Sequence, residues 1–205
     1  MYDNLLRKLL ISCIFIMSGA FSLPANAQHY YFDDALQVSP LVVHAAAYSF
    51  GMKGKTAVSD RLCIGAIALA TDELLVQGLK HVVDERRPDD SDLNSFPSGH
   101  SARAFCGASL LFHEYKNDNM WVACSGYALA TLTGVLRVCH DRHYTHDVLA
   151  GAAIGMASTE FAYWIFPKLK QSRSNKNQGP KYKTTLIPTP YYIYKGAGMS
   201  LAINF

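Results

Sequence analysis

The chain has 205 residues, of which 50% are hydrophobic and 17% charged, with a formal net charge of +3. This length predicts one domain with small appendages, and the apolar fraction excludes a disordered chain. The small charge excess gives no reason to expect nucleic acid as a partner, and a mean hydropathy of +0.04 is too low for a chain made mostly of membrane-spanning helices.

Residues 1–27 have the pattern of a secretory signal peptide. Arg7 and Lys8 precede an apolar stretch from Leu9 to Leu23, and Ala25-Asn26-Ala27 supplies small residues for cleavage. The apolar stretch is short for a membrane span. We therefore expect cleavage after Ala27 and delivery to the periplasm or cell envelope, with an uncleaved anchor as the alternative.

Four cysteines follow this segment. Most lie in apolar helical stretches, where a free thiol behaves as a small hydrophobe. We expect buried free thiols, although four cysteines also allow three disulfide pairings that the sequence does not distinguish; the residues are Cys63, Cys106, Cys124 and Cys139.

Apolar residues recur at helical spacing with short connections between the runs, which predicts five helices. Asp60 is a candidate N-cap, and Pro88 and Pro167 are candidate stops. The predicted helices are Leu41–Phe50, Arg61 to about Arg87, Ser101–Tyr115, Met120 to about Val138, and Asp147 to about Phe166. Residues 28–170 should therefore form an all-α domain, a helical bundle of about five core helices.

Charges inside these helices favour a bundle in water, or at a membrane surface, over one that spans the membrane. Asp72 and Glu73 lie in the middle of the second helix and Glu160 in the last one. The longest charge-free stretch, Trp121–Leu136, has 16 residues, short of the roughly 20 that a span requires. We expect a soluble or peripheral protein.

Residues 171–205 differ in composition from the bundle. Gln171–Lys183 is polar and basic and is predicted to be a linker. Tyr191–Tyr194 and Met199–Phe205 have strand character around a glycine-containing turn. We expect a short β-hairpin-like tail.

Two motifs contain groups suited to holding an anion. Lys80 and Arg87 are seven residues apart, which would place both cations on one helix face, and arginine matches phosphate geometry. Pro97-Ser98-Gly99-His100 precedes a helix whose free N–H groups attract anions, and His100 titrates near neutrality. Each motif also has a simpler interpretation, as charges favouring a helix dipole and as an ordinary helix start.

A third motif comprises Arg137, His143 and Asp147. His143 and Asp147 are four residues apart, so the carboxylate can contact one imidazole nitrogen and leave the lone pair of the other free. This is the arrangement of an activated nucleophile. The simpler alternative is Asp147 as an N-cap beside a surface histidine.

In this order the three motifs resemble the type 2 phosphatidic acid phosphatase superfamily, which includes bacterial acid phosphatases, lipid phosphatases and vanadium haloperoxidases. Its pattern is K-x6-R-P, P-S-G-H and S-R-x5-H-x3-D, and the resemblance extends from about Arg61 to Phe166. Two departures are Leu136, where the pattern has serine, and a short loop of eight residues between Pro88 and Pro97.

The resemblance implies an all-helical, metal-independent phosphatase without a cofactor, acting on a phosphomonoester or a lipid (pyro)phosphate through a phosphohistidine intermediate. It implies His143 as nucleophile, Asp147 as the residue that orients it, and His100 as acid and then base. The implied phosphate ligands are Lys80, Arg87, Ser98, Gly99 and Arg137. The alternatives are a vanadium-dependent haloperoxidase and a catalytically inactive envelope binding protein.

Overall fold

The computed structural model describes residues 25–177, 185–193 and 196–204, with side chains over residues 34–173. Within these ranges it contains five helices and one antiparallel hairpin, which confirms the all-α prediction. The elements are α1 (Ala25–Ser49), α2 (Val58–Val82), α3 (Gly99–Tyr115), α4 (Met120–Cys139), α5 (Thr145–Asn177), β1 (Thr185–Ile193) and β2 (Gly196–Asn204). The apolar stretch of the expected signal peptide lies outside the described residues.

Helix α3 is the centre of the bundle. It packs against α1, α2 and α4, and most of its residues are buried, many of them small. A helix that buries most of its residues is stable only when other helices surround it. The side chain of Ser98 caps its first turn by accepting from the backbone N–H of Ser101.

Helix α5 crosses α3 at Gly151 and Gly155. A Cβ atom at Gly151 would collide with the carbonyl oxygen of Ser98, and one at Gly155 with that of Ala102. The two backbones touch because glycine has no side chain at these positions. This contact sets the beginning of α5 beside the beginning of α3.

Several predicted helix boundaries were wrong. The N-cap of helix α2 is Ala57, so Asp60 lies inside the first turn. Helix α2 ends at Val82, because Val83 is extended and Glu85 then pairs its backbone with Leu93 and Ser95. Arg87 is therefore in a loop. Helix α1 begins well before Leu41 and contains Pro40, which is fully buried and packed close to Gly107, so that packing offsets the lost hydrogen bond.

Pro167 does not stop α5, which continues to Asn177; a proline removes only one hydrogen bond of a helix. Residues 171–177 of the predicted linker are therefore helical, and its remainder lies outside the described residues. Pro167 nevertheless begins the second of two compact units. In that unit β1 and β2 pair antiparallel, with Thr185 opposite Asn204, so the predicted strands exist and are longer than expected.

Among the residues that the structure describes, three helices are long and apolar enough to cross a membrane, over 23, 20 and 29 residues of α2, α4 and α5. Of the charges that argued against spanning, Asp72 is buried. Glu73 is bound by Arg103 at 2.8 Å, and the exposed Glu160 is paired with His113 at 2.6 Å. Large apolar side chains such as Leu74 and Trp121, exposed to 75% and 88%, point outward instead. These features favour a membrane-associated protein over a bundle in water.

The four cysteines that follow the expected signal peptide are free thiols, as expected. Only Cys106 is buried, so the expectation of burial is wrong for the other three. Those three lie on faces that the bundle leaves uncovered, where the helix pattern alone did not place them.

Candidate active site

Backbone hydrogen bonds join the second and third motifs. The N–H of Ser98, just before α3, donates to the carbonyl of Asp147 at 3.1 Å. At the end of α4 the carbonyl of Arg137 accepts from the N–H groups of Arg142 and His143 at 3.0 and 3.2 Å. The tight loop between α4 and α5 is therefore anchored at both ends, beside the first turn of α3.

His143 and Asp147 are buried together, with 3% and 0% exposure. Nδ1 of His143 lies 3.5 Å from Oδ2 of Asp147, a contact longer than a hydrogen bond. The same Oδ2 accepts from the hydroxyl of Ser95 and from the N–H of Tyr144 at 2.9 Å. Asp147 occupies the third position of α5, where a carboxylate reaches back to the N-cap N–H, so it is not itself the N-cap.

Three cations surround this pair. Arg137 is buried at the last turn of α4. Lys80, in the last turn of α2, donates to the carbonyl of Asn94 at 2.6 Å, and Arg87 pairs with Asp92 at 2.9 Å. The spacing predicted that Lys80 and Arg87 share a helix face, and this is wrong because the helix ends at Val82. The loop after α2 instead places Arg87 near Lys80 and His143. Burial first, and then Arg137, Arg87 and Lys80, lower the pKa of His143 to about 4.

His143 is therefore neutral near pH 7, with an unprotonated nitrogen available for bond formation. A neutral imidazole held among three cations is an unfavourable place for a proton and a favourable one for an anion. The arrangement suits attack on a dianionic group that the cations would hold.

Ser98 and Gly99 form the start of α3, where unpaired backbone N–H groups attract anions. Both are buried, and the Ser98 hydroxyl lies 3.1 Å from that of Ser101. The guanidinium of Arg103 lies beneath this turn, with Nη1 3.8 Å from the position of a Cβ on Gly99. The helix end thus carries an additional nearby positive charge.

His100 has a partner that sequence reasoning missed. Its Nε2 lies 2.7 Å from Oδ1 of Asp34, 66 residues away on α1, and one turn later Gln37 accepts from Arg103 at 3.1 Å. Burial and then Arg137 lower the pKa of His100, while Asp34 opposes this shift. No local pattern signals Asp34, because only the packing of α1 on α3 creates the contact.

Neither Glu85 nor His146 was among the predicted site residues. Nε2 of His146 lies 2.8 Å from Oε1 of Glu85 and 3.0 Å from Oδ1 of Asp147. Within residues 34–173 these carboxylate and imidazole atoms form one group close enough to hold a metal ion. These two contacts of His146 tie the loop after α2 to Asp147.

A second tie joins the two loops of the site. Arg142 pairs with Asp89 at 2.9 Å, and the N–H of Asp89 donates to the carbonyl of Asp141 at 3.1 Å. The short loop that departs from the family pattern is therefore fastened to the loop that carries His143. All the residues singled out in the three motifs lie on these two loops and the helix ends around them.

The comparisons with known proteins agree with this geometry. The PAP2 superfamily profile matches residues 61–171. Lipid A 1-phosphatase of Porphyromonas gingivalis is 35% identical over 142 residues, 69% of this chain and 32% of that protein. Phosphatidylglycerophosphatase B of Bacillus subtilis is 32% identical over 120 residues, 52% of this chain and 59% of that protein. The chain spans less than two thirds of the length of either relative.

A solved structure shares the fold. The crystal structure of LpxE from Aquifex aeolicus superimposes with a TM-score of 0.52 at 22% sequence identity, over 64% of this chain and 83% of that chain. At this identity the likeness concerns the arrangement of helices. The candidate active site therefore lies in a helical fold that is already known from a solved structure.

Proposed function

The chain belongs to the PAP2 superfamily, and we propose that it is a metal-independent phosphatase that hydrolyses a phosphate ester of a lipid through a phosphohistidine intermediate. The observation that carries the proposal is a buried, neutral His143 between the carboxylate of Asp147 and three cations. Such a site stabilises charge on a phosphoryl group while presenting it with a nucleophile.

In the proposed first step, Nε2 of His143 forms a bond to phosphorus and the ester P–O bond breaks. His100 donates a proton to the leaving oxygen. Lys80, Arg87 and Arg137 hold the three remaining phosphoryl oxygens together with the Ser98 hydroxyl and the N–H of Gly99. Asp147 stabilises the positive charge that develops on the His143 ring.

In the second step, water attacks phosphorus and the bond to His143 breaks. His100, now neutral, takes the proton of the attacking water, which releases inorganic phosphate and restores the starting state. His100 thus needs to alternate between charged and neutral forms. Its contact with Asp34 favours the charged one.

The lipid class of the substrate is supported by the two relatives, whose names describe a lipid A phosphatase and a phosphatidylglycerophosphatase. Three apolar helices would place the site at a membrane surface. We further propose that residues 1–27 direct the chain to the cell envelope. N-terminal sequencing of the membrane fraction after carbonate washing checks the membrane association and the expected cleavage after Ala27. Release of the chain by carbonate contradicts the membrane association, and a chain that starts at Met1 contradicts cleavage and identifies residues 1–27 as an uncleaved anchor.

Phosphate release by the purified full chain tests the activity. We expect hydrolysis of a lipid phosphate and of a soluble aryl phosphate, at rates that EDTA does not change. Orthovanadate should inhibit strongly, because it resembles the transition state of phosphoryl transfer. Loss of activity in EDTA with recovery on adding a divalent ion would exclude the metal-independent mechanism. Bromide oxidation by peroxide in the presence of vanadate, without phosphatase activity, would identify a haloperoxidase instead.

The pH profile is expected to have an acidic optimum. The free enzyme reacts with substrate only when His143 is neutral and His100 is protonated. The value of kcat/KM therefore falls at low pH, where His143 is protonated, and at higher pH, where His100 loses its proton. Because burial lowers both pKa values below the usual value of 6.5, the maximum should lie below that pH. Asp34→Asn removes the anion that favours charged His100, so the alkaline limb should move to lower pH.

Glu160→Gln is the matched control for Asp34→Asn. It removes a carboxylate from a second histidine pair, 2.6 Å from His113, that has no contact with the site residues. The ionisation of the substrate, near pH 6, is the same for all three proteins and cancels in the comparison. An alkaline limb that stays in place in Asp34→Asn contradicts the assignment of His100.

A further inference from the structure

Oδ1 of Asp147 forms, with Glu85 and His146, a cluster of ligand atoms that the proposed mechanism does not use. Nε2 of His146 lies 2.8 Å from Oε1 of Glu85 and 3.0 Å from Oδ1 of Asp147, and the three atoms lie within 4.8 Å of one another. One imidazole and two carboxylates are a donor set that divalent transition-metal ions bind in proteins.

The carboxylate of Asp147 leaves one oxygen without a hydrogen bond. Asp147 is fully buried, and its Oδ2 accepts from Ser95 and Tyr144, whereas its Oδ1 has no hydrogen-bond partner among residues 34–173. Nε2 of His146 carries at most one proton and is already within hydrogen-bond distance of Glu85. One proton cannot serve both carboxylates, and an unpaired buried oxygen costs free energy. A metal ion in place of that proton would bond to both.

The surrounding structure holds the ligands in position. The carbonyl of Glu85 accepts from the N–H of Ser95 at 2.9 Å, which fixes the loop. The ring of His146 stacks on Tyr144, with centroids 5.5 Å apart, and on Phe96 at 6.2 Å. The side chain of His146 is nevertheless 59% exposed, so an ion has a path from solvent. Binding would therefore require little reordering of the ligands.

The geometry suits Zn²⁺. Nitrogen and oxygen ligands lie about 2.0–2.2 Å from zinc, so two ligands of a tetrahedral site are about 3.3 Å apart. The observed separations of 2.8 and 3.0 Å need to widen by about half an ångström at most to match this. Three protein ligands leave a fourth position for water. Mg²⁺ fits poorly, because it demands octahedral geometry with oxygen ligands.

The charges of the active site direct a cation to this cluster and away from His143. Lys80, Arg87 and Arg137 lie around His143, and they repel a further positive charge there. His146 instead faces two carboxylates. The two histidines are therefore unequal as zinc ligands, although both contact Asp147.

We propose that Glu85, His146 and Asp147 bind a zinc ion, and that the bound ion inhibits the phosphatase. Zn²⁺ on Oδ1 neutralises the negative charge of Asp147. The first step of the proposed mechanism needs that charge to stabilise the cationic ring of His143. The zinc site stands independently of the proposed function, whereas the inhibition rests on it.

Direct binding tests the site without any turnover. The purified full chain is freed of metal with EDTA, separated from the chelator and titrated with Zn²⁺ against a chromophoric indicator. We expect saturable binding to the wild type. His146→Ala and Glu85→Gln should each weaken it by at least about tenfold, since even a residue that only orients a metal ligand contributes about 10- to 100-fold to affinity.

His81→Ala is the matched control, because it removes another exposed histidine that is not part of the cluster. It should bind Zn²⁺ as the wild type does. Circular dichroism identifies any variant that fails to fold, and Glu85→Gln, which preserves size and shape, then replaces His146→Ala. Wild-type zinc affinity in a folded His146→Ala or Glu85→Gln protein would overturn the site.

Steady-state kinetics with a soluble aryl phosphate test the effect of the ion. Each rate is divided by the zinc-free rate of the same protein, so that effects of the substitution itself cancel. Saturating Zn²⁺ should lower the kcat of wild type and His81→Ala by at least about 100-fold, because disabling the acidic partner of a catalytic histidine costs about 10³- to 10⁴-fold. The same concentration of Mg²⁺ should have no effect, and EDTA should restore the rate.

The kinetic pattern separates this site from zinc bound at the phosphate ligands. An ion on Asp147 lowers kcat and leaves KM nearly unchanged, whereas an ion that blocks the phosphate position raises KM. Inhibition through KM alone, or zinc binding at the cluster without loss of kcat, would overturn the proposed inhibition. If no phosphate ester is hydrolysed at all, the proposed function fails, and the binding measurements still decide the zinc site.

Discussion

Replacing His143 by alanine should lower kcat by at least about 10⁴-fold, since removing a catalytic nucleophile has effects of this size or larger. The ring is the proposed site of the new bond to phosphorus, and the cations around it cannot supply a nucleophile. Stopped reactions of wild type with a ³²P-labelled substrate, quenched in alkali, should show label on the protein, and His143→Ala should show none.

His81→Ala is the control for this variant, because His81 is an exposed histidine at the end of α2, next to Lys80, and is expected to keep wild-type activity. Circular dichroism checks that the buried His143 position tolerates the smaller side chain. A folded His143→Ala protein that keeps more than a few per cent of wild-type activity would exclude the nucleophile assignment.

Asp147→Asn should lower kcat by about 10³- to 10⁴-fold, the size seen when the acidic partner of a catalytic histidine becomes an amide. An asparagine can still accept from Tyr144 and Ser95, but it lacks the negative charge that stabilises a cationic His143 ring. The loss should appear in kcat and leave KM nearly unchanged, because the phosphate ligands are untouched. Steady-state kinetics with a soluble phosphate ester measure both.

Ser95→Ala separates charge from geometry at the same carboxylate. It deletes the hydroxyl that donates to Oδ2 of Asp147 and keeps the charge, so its loss of kcat should be much smaller than that of Asp147→Asn. If Ser95→Ala were the more damaging change, the carboxylate would act through its hydrogen bonds and not through its charge.

Helical periodicity was sufficient to predict the all-α fold and the approximate positions of its helices. This is because a helix depends on residues three and four apart, whose side chains are neighbours whatever the rest of the chain does. The same local rule placed Asp147 near His143. Motif order then indicated the superfamily, since residues such as Arg137 and His143 are recognisable from their spacing alone.

Helix ends followed a different rule. Arg87 was expected on α2, yet the backbone of Glu85 bonds to Leu93 and Ser95, and this competing pairing ends the helix before Arg87. The charges in α2 were expected to keep it out of a membrane. Their direction depends on which neighbour packs there, and Arg103 from α3 binds Glu73.

The residues that contact His100, His146 and Asp147 come from segments distant in the chain, so the sequence did not reveal them. Asp34 reaches His100 across 66 residues, Glu85 reaches His146 across 61, and Ser95 reaches Asp147 across 52. Such pairs leave no periodic trace, because each partner is compatible with its own helix or loop whether or not the other is present.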